Sequence, residues 1–233
     1  MTTLHLIRHG RAQAQADDYD QLHEIGIEQA RLLGAHLAQR GQRFDAVYVG
    51  PLRRQRETLR LMREAGGAGA VAWPEEHVLD GLAEGPFELL YKKYLFERME
   101  SDPVVRGHVA RLRAVPAERE AIIDQIFVHM VELWTSAAIA GDDLEPALAF
   151  EARVGAVLDH IRQREPAGRE VAVVTSNGVI GACVRRALGA IDGKRMRVHN
   201  ASVTRIDVVA SGFALRDHDV TEHLTDPIHL TLL

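Results

Sequence analysis

Cysteine is nearly absent from this chain of 233 residues: Cys183 stands alone, so no internal disulfide can staple the fold. Aromatic residues make up only 5%, yet apolar residues together reach 46%, so a substantial core is available and general disorder is excluded. No uninterrupted apolar run approaches the ~20 residues that a membrane-spanning helix needs. Positive charge is not in excess. The 28 Lys and Arg against 33 Asp and Glu leave a formal net charge of −5, which argues against a broad nucleic-acid surface while permitting a local basic pocket. Nor does the start carry a basic stretch followed by an apolar one, as a secretory leader does; Met1-Thr-Thr runs straight into a strand pattern. The expectation is a soluble cytoplasmic protein with neither membrane nor nucleic acid as partner.

The length suits one large domain spanning residues 1–233, with room for a sizeable insertion. Strand patterns appear at Leu4 to Ile7, at Asp45-Ala-Val-Tyr-Val, near Val71 to Trp73, and at Glu170-Val-Ala-Val-Val-Thr, a run apolar enough to be buried on both faces. Helical spacing covers Gly26 to Gln39, Leu52 to Ala65, Ala147 to Arg164 and Gly178 to Leu188. Ser202 to Val209 and Phe213 to Arg216 read as a hairpin around Ser211-Gly212 at the sheet edge. Between about 87 and 145 the period is helical throughout, with Pro103, Pro116 and Pro146 as breaks. Ile122, Ile126, Met130, Leu133 and Ala137 make an apolar stripe there, widened by Phe127 and Trp134, either core or the surface of a homodimer. Strands alternating with helices predict an α/β fold of three layers, α/β/α, with a mostly parallel sheet and a helical insertion. Ligands of such sheets lie beyond the carboxyl ends of the strands.

Three strand-to-helix junctions should therefore open on one rim. The first delivers Arg8 and His9 from Leu-His-Leu-Ile-Arg-His-Gly-Arg. The second, Gly50-Pro-Leu-Arg-Arg-Gln-Arg-Glu-Thr, puts Arg53, Arg54 and Arg56 at the start of a helix, where cations face the positive end of the dipole. A bound anion that also meets the free N–H groups would relieve that cost. The third junction is Thr175-Ser-Asn-Gly, and the loop Leu82-Ala-Glu84-Gly85 adds a carboxyl group. These residue types suit phosphoryl transfer through a covalent intermediate. Flanking arginines disfavour the imidazolium, so His9 stays neutral and nucleophilic near pH 7. Guanidinium groups hold the phosphoryl oxygens and offset developing charge without a metal or other cofactor. Glu84 is suited to protonating the leaving alkoxide and later activating water.

In these motifs the chain resembles the histidine phosphatase superfamily, also called phosphoglycerate mutase-like. Its first motif appears as Leu6-Ile-Arg8-His9-Gly10. Its Ser-Pro-Leu-x-Arg-Ala-x-Gln-Thr appears as Gly50-Pro51-Leu52-Arg53-Arg54-Gln55-Arg56-Glu57-Thr58, and its Leu-x-Glu as Leu82-Ala83-Glu84. Leu22-His-Glu-Ile-Gly26-Ile-Glu-Gln29-Ala30 and Asn200-Ala-Ser-Val-Thr204 are also similar. The resemblance covers about 1–87 and 145–210, and implies that the helical middle caps the site and chooses the substrate. It implies His9 as nucleophile, Arg8 and Arg54 as phosphate clamps, and Glu84 as general acid and base. The substrate implied is a small phosphomonoester.

The sequence departs from that pattern at informative places. Where the family has Val-Ser-His-Gly-Gly, this chain has Val174-Thr175-Ser176-Asn177-Gly178, so a neutral hydroxyl replaces the second catalytic histidine. Losing one charge-assisted hydrogen bond costs about 1.5–3 kcal/mol, and losing one transition-state donor can cost ~10²–10³ in rate. Ser176 and Asn177 are the residues at hand to bind phosphate in that quadrant, and Asn177 or His199 could stand in part for the histidine. Gln15 replaces the asparagine expected seven residues after Arg8, again as a phosphate ligand. The mutase-type sequence after the acidic residue is missing, since Glu84 is followed by Gly-Pro-Phe-Glu-Leu-Leu. Two functions remain open: a metal-independent phosphomonoesterase of weakened activity, or an anion-binding regulatory relative that has lost turnover.

Blander readings stand beside these. Arg53 and Arg56 read as solvated helix residues, Glu88 as the rival of Glu84 for the acid role, and Ser176 as a pocket hydroxyl or helix cap because no Gly-x-Ser-x-Gly elbow surrounds it. Asp217-His-Asp219 with Glu222 and His223 lacks the helical spacing of a metal site and reads as a solvated tail.

Overall fold

A computed structural model describes residues 1–13, 20–66, 73–90, 95–189 and 197–232. They divide into two compact units, Met1–Glu84 with Arg153–Leu233, and Gly85–Ala152.

In the first unit the apolar runs become β1 (Thr2–Arg8), β2 (Ala46–Val49) and β4 (Glu170–Thr175), all buried on both faces apart from Glu170 at the start of β4. β3 is the short Glu76–Val78, a few residues beyond the extended piece read near Val71 to Trp73; Val71 itself lies outside the described residues. β5 (Val203–Val209) and β6 (Gly212–Val220) form the edge hairpin. The sheet order is β3-β2-β4-β1-β5-β6, with β3, β2, β4 and β1 parallel and β5 and β6 antiparallel. Helices α1 (Glu24–Gln39) and α2 (Arg53–Ala65) bury Leu33, Leu37, Leu59 and Met62 against Ile7, Val47, Val49, Ala172 and Val174 of the sheet. Alternate strand residues Leu4, Leu6, Tyr48 and Val173 are just as buried, as period-two strands covered on both faces require.

Further helices close the chain's crossovers. In the second unit come the single turn α3 (Phe87–Leu89), then α4 (Leu95–Ser101), α5 (Pro103–Ala114) and α6 (Arg119–Thr135). Pro103 opens α5 because its missing N–H costs nothing at the first helical position, and Asp102 caps it through Val104 N and Val105 N. Of the stripe, Ile122, Ile126 and Met130 are buried with Trp134, Leu133 is half-buried, and Ala137 is exposed because α6 ends at Thr135; Trp134 packs edge-on against Phe87 and Phe150. Helix α7 (Ala147–Arg164) returns to the sheet, and α8 (Asn177–Leu188) follows β4 and lies against β1, β5 and β6.

The acidic run read as a solvated tail belongs instead to β6. Arg205 of β5 pairs with Asp217, and His199 with Asp219, so partners on neighbouring segments draw these carboxylates onto the sheet edge.

Candidate active site

Parallel pairing brings three of the loops to one rim. Arg8 is in register with Thr175 and Val49 with Val174, so His9, Gly50 and Ser176 begin their loops side by side. Backbone bonds from His9 N to Thr175 O (2.9 Å) and from Gly50 N to Val174 O (3.1 Å) carry that alignment past the strand ends. Gly10 is required for a close approach: a Cβ there would lie 2.3 Å from the carbonyl oxygen of Gly26, at the start of α1. The carbonyl of His9 is held from the other side by Asn200 Nδ2 at 3.3 Å and Ala201 N at 3.3 Å, which gives the Asn-Ala-Ser-Val-Thr motif its physical purpose.

The side chain of His9 is buried, and its tautomer follows from its neighbours. Nδ1 is 2.7 Å from the carbonyl oxygen of Gly10, which can only accept, so Nδ1 carries the hydrogen. Nε2 is 3.2 Å from Nε of Arg54, which can only donate, so Nε2 carries the lone pair. Burial first, then the charges of Arg54 and Arg8, hold the imidazole pKa well below its ordinary value near 6.5, and the Gly10 carbonyl offsets this only in part. His9 is a neutral base with its reactive nitrogen next to a guanidinium.

Arg54 is fixed in the first turn of α2 by the carboxylate of Asp20. Its Nη1 donates to Oδ1 at 2.9 Å, while Oδ2 and Oδ1 also accept from the backbone N–H groups of Arg53 (2.7 Å) and Arg54 (3.3 Å). The anion that this helix start calls for is thus supplied by the chain itself. Arg53 and Arg56 are exposed. Arg8 is buried, and its Nη1 donates to the carbonyls of Val198 and Leu232, which steers the guanidinium with the C-terminal segment.

Glu84 reaches the third junction: its Oε1 accepts from Gly178 N at 3.1 Å, in the first turn of α8. The loop bearing it is tied down by Arg153, which donates to the carbonyls of Gly81 (2.9 Å), Ala83 (2.9 Å) and Glu84 (3.1 Å). Glu88, the rival acid, is exposed on α3. Ser176 occupies the N-cap position of α8, but its side chain caps nothing; the fully buried hydroxyl accepts from Gln55 Nε2 at 2.8 Å. Asn177 Oδ1 accepts from Val198 N at 2.9 Å, so this amide braces the segment whose carbonyl receives Arg8. Gln15 lies outside the described residues.

The structure therefore brings His9 and Arg54 into direct contact, and links Glu84 and Ser176 at the start of α8. Asp20, Gln55 and Arg153 were not singled out by sequence reasoning. Only Gln55 left a trace there, standing where the resembled motif has alanine; Asp20 and Arg153 act across 34 and about 70 residues of chain, where no local pattern points to them. Among the described residues no group of three or more His, Cys, Asp or Glu side chains could hold a metal ion.

The model of the histidine phosphatase superfamily (branch 1) matches residues 4–106 and 117–221. Among curated proteins none is similar enough in sequence to count as a relative. Similar solved structures include a phosphoglycerate mutase from Bacillus anthracis, at 20% identity and a TM-score of 0.66, covering 96% of this chain and 95% of that one. An alpha-ribazole phosphatase from Shigella flexneri matches at 21% identity and a TM-score of 0.62, covering 94% and 96%. A phosphoserine phosphatase from Entamoeba histolytica, in complex with 3-phosphoglyceric acid, matches at 20% identity and a TM-score of 0.61, covering 96% and 100%. At these identities the likeness concerns the fold.

Proposed function

Since this chain belongs to the histidine phosphatase superfamily, we propose that it is a phosphomonoesterase that cleaves a small phosphate ester through a phosphohistidine on His9. The observation that carries this reading is the neutral imidazole whose Nε2 lone pair adjoins Arg54. Nε2 attacks phosphorus, the ester P–O bond breaks, and the bonding pair leaves on the alkoxide, which takes its proton from Glu84. Water then attacks the phosphohistidine, giving its proton to Glu84 and releasing inorganic phosphate from Nε2. Arg8 and Arg54 bind the non-bridging oxygens and offset their charge, so the reaction needs no metal. Solved structures of similar fold include enzymes named for alpha-ribazole phosphate and phosphoserine phosphatase activity, which favours a small phosphorylated substrate over a macromolecule.

One observation favours a second reading. The Asp20 carboxylate already pairs with Arg54 and takes the helix N–H groups, as a built-in anion would in a regulatory module that binds phosphate without turning it over. Release of phosphate from p-nitrophenyl phosphate in the presence of a chelator separates the two. A phosphatase gives turnover that His9→Ala abolishes. Equal rates for the two proteins would remove His9 from the chemistry, and vanadate binding without turnover would favour the module.

A further inference from the structure

Gln55 is fully buried in the first turn of α2, and its amide orientation is dictated by backbone on both sides. Oε1 accepts from Leu52 N at 3.1 Å, where only an acceptor fits. Nε2 donates to Leu82 O at 3.0 Å, where only a donor fits. The amide cannot be flipped, so its contact with Ser176 has a fixed direction: Nε2 donates and Ser176 Oγ accepts, at 2.8 Å. Ser176 is fully buried, and this is the only hydrogen bond its side chain makes among the described residues. Among the described residues its hydroxyl hydrogen therefore has no acceptor, although a buried polar hydrogen is costly to leave unpaired.

Gly50 belongs to the same arrangement. A Cβ at this position would lie 2.0 Å from Gln55 Oε1, 2.6 Å from its Cδ and 2.7 Å from the Leu82 carbonyl oxygen. Any larger residue at 50 would displace the Gln55 amide. The resembled motifs have serine, alanine and histidine where this chain has Gly50, Gln55 and Ser176. In volume the changes offset one another: the long amide at 55 fills space that a short side chain at 176 leaves, and needs no side chain at 50.

We propose that Gln55 is a positioning residue that turns the Ser176 hydroxyl into a hydrogen-bond donor for the phosphoryl group, with Gly50 making room, so that the three residues together replace the second catalytic histidine. The inference rests on the phosphatase reading above and extends it. The Gln55 amide occupies one lone pair of the Ser176 oxygen and turns its O–H away from Nε2, so the hydrogen is available to a non-bridging oxygen of substrate.

A double-mutant cycle tests this, with Gln55→Met, Ser176→Ala and the double variant compared in turnover of p-nitrophenyl phosphate and in affinity for orthovanadate. Removing one neutral donor at each site should lower kcat about tenfold, with KM changed less than threefold. In the Ser176→Ala background, Gln55→Met should lower kcat much less than in the parent, because its Ser176 partner is already gone and only the bonds to Leu52 N and Leu82 O remain to be lost. Equal losses from Gln55→Met in both backgrounds would overturn the proposal, since a purely structural role does not depend on Ser176. If Gln55→Met fails to fold, Gln55→Glu carries the same cycle, as it keeps an acceptor for Leu52 N and lacks the amide donor. Coupled vanadate affinities without turnover would keep this inference and reject the phosphatase reading; turnover with uncoupled variants would do the opposite.

Discussion

Nε of Arg54 donates into Nε2 of His9 across 3.2 Å, so the guanidinium rests on the lone pair that has to attack phosphorus. Arg54 is simultaneously held by Asp20 at 2.9 Å. The two contacts form a chain in which an internal carboxylate and an imidazole both accept from the arginine. In the proposed reaction a phosphoryl group displaces both, because a dianion offers more acceptors than a carboxylate and brings its own charge to the start of α2.

The first consequence concerns protons. His9 should be the Nδ1–H tautomer at pH 7 and should remain neutral through pH 6.5, since burial and two arginines all oppose the imidazolium. Its contribution to the acid limb of kcat/KM therefore lies well below pH 6.5. Nitrogen-15 NMR of the imidazole checks this. A midpoint near 6.5, or a hydrogen found on Nε2, would contradict the hydrogen bonding described.

A second concerns Asp20. Asp20→Asn keeps an acceptor for the N–H groups of Arg53 and Arg54 but removes the charge that pairs with Arg54. Inhibition by inorganic phosphate or orthovanadate should strengthen about tenfold, the scale of one charge-assisted hydrogen bond no longer competed for. Unchanged or weaker inhibition would mean that Asp20 supports the anion site instead of occupying it.

Arg153 gives a third. It gathers three carbonyls of residues 81, 83 and 84, and with them the approach of Glu84 to Gly178. Arg153→Ala should lower stability by about 2 kcal/mol, the cost of leaving hydrogen-bonded carbonyls without their cation, and reduce kcat more than it raises KM. Thermal melts beside steady-state kinetics measure both. A kcat unaffected by the change would detach this loop from the chemistry.

Away from the site, burial and the nearby ring of His36 push the pKa of His223 down to about 4, and its buried Nε2 has no hydrogen-bond partner among the described residues. Between pH 4 and 6.5 the unfolded chain binds this proton and the folded protein does not. Stability is therefore complete above about pH 6.5 and falls as the pH drops, with this residue alone costing about 2 kcal/mol by pH 5. Urea denaturation of His223→Leu should show a flatter acid limb than the parent protein. An identical slope would show that His223 titrates normally.

Much of this was written in the sequence because local pattern and global fold agree there. β1, β2 and β4 are apolar runs ended by turn residues, α7 falls at the bounds its spacing predicts, and His9 and Arg54 stand at the ends they serve. What was illegible depends on contacts between distant segments. Nothing near Asp20 says that it will lie on the start of α2, and nothing in the last residues says that Leu232 will offer its carbonyl to Arg8. The Asp217–Asp219 run misleads for the same reason, since Arg205 and His199 become its partners only after the hairpin forms. Ser176 was visible as a departure, but its role as an acceptor from Gln55 depends on the amide orientation that Leu52 and Leu82 impose.

The central claim is covalent chemistry on His9, and trapping that intermediate tests it most directly. The protein would be mixed with p-nitrophenyl phosphate, quenched within milliseconds at alkaline pH to preserve phosphohistidine, and mapped by mass spectrometry. A phosphoryl group is expected on the peptide carrying His9, formed and lost at rates compatible with turnover and absent from His9→Ala. Turnover with no modification at His9, or with the phosphoryl group on another residue, would contradict it.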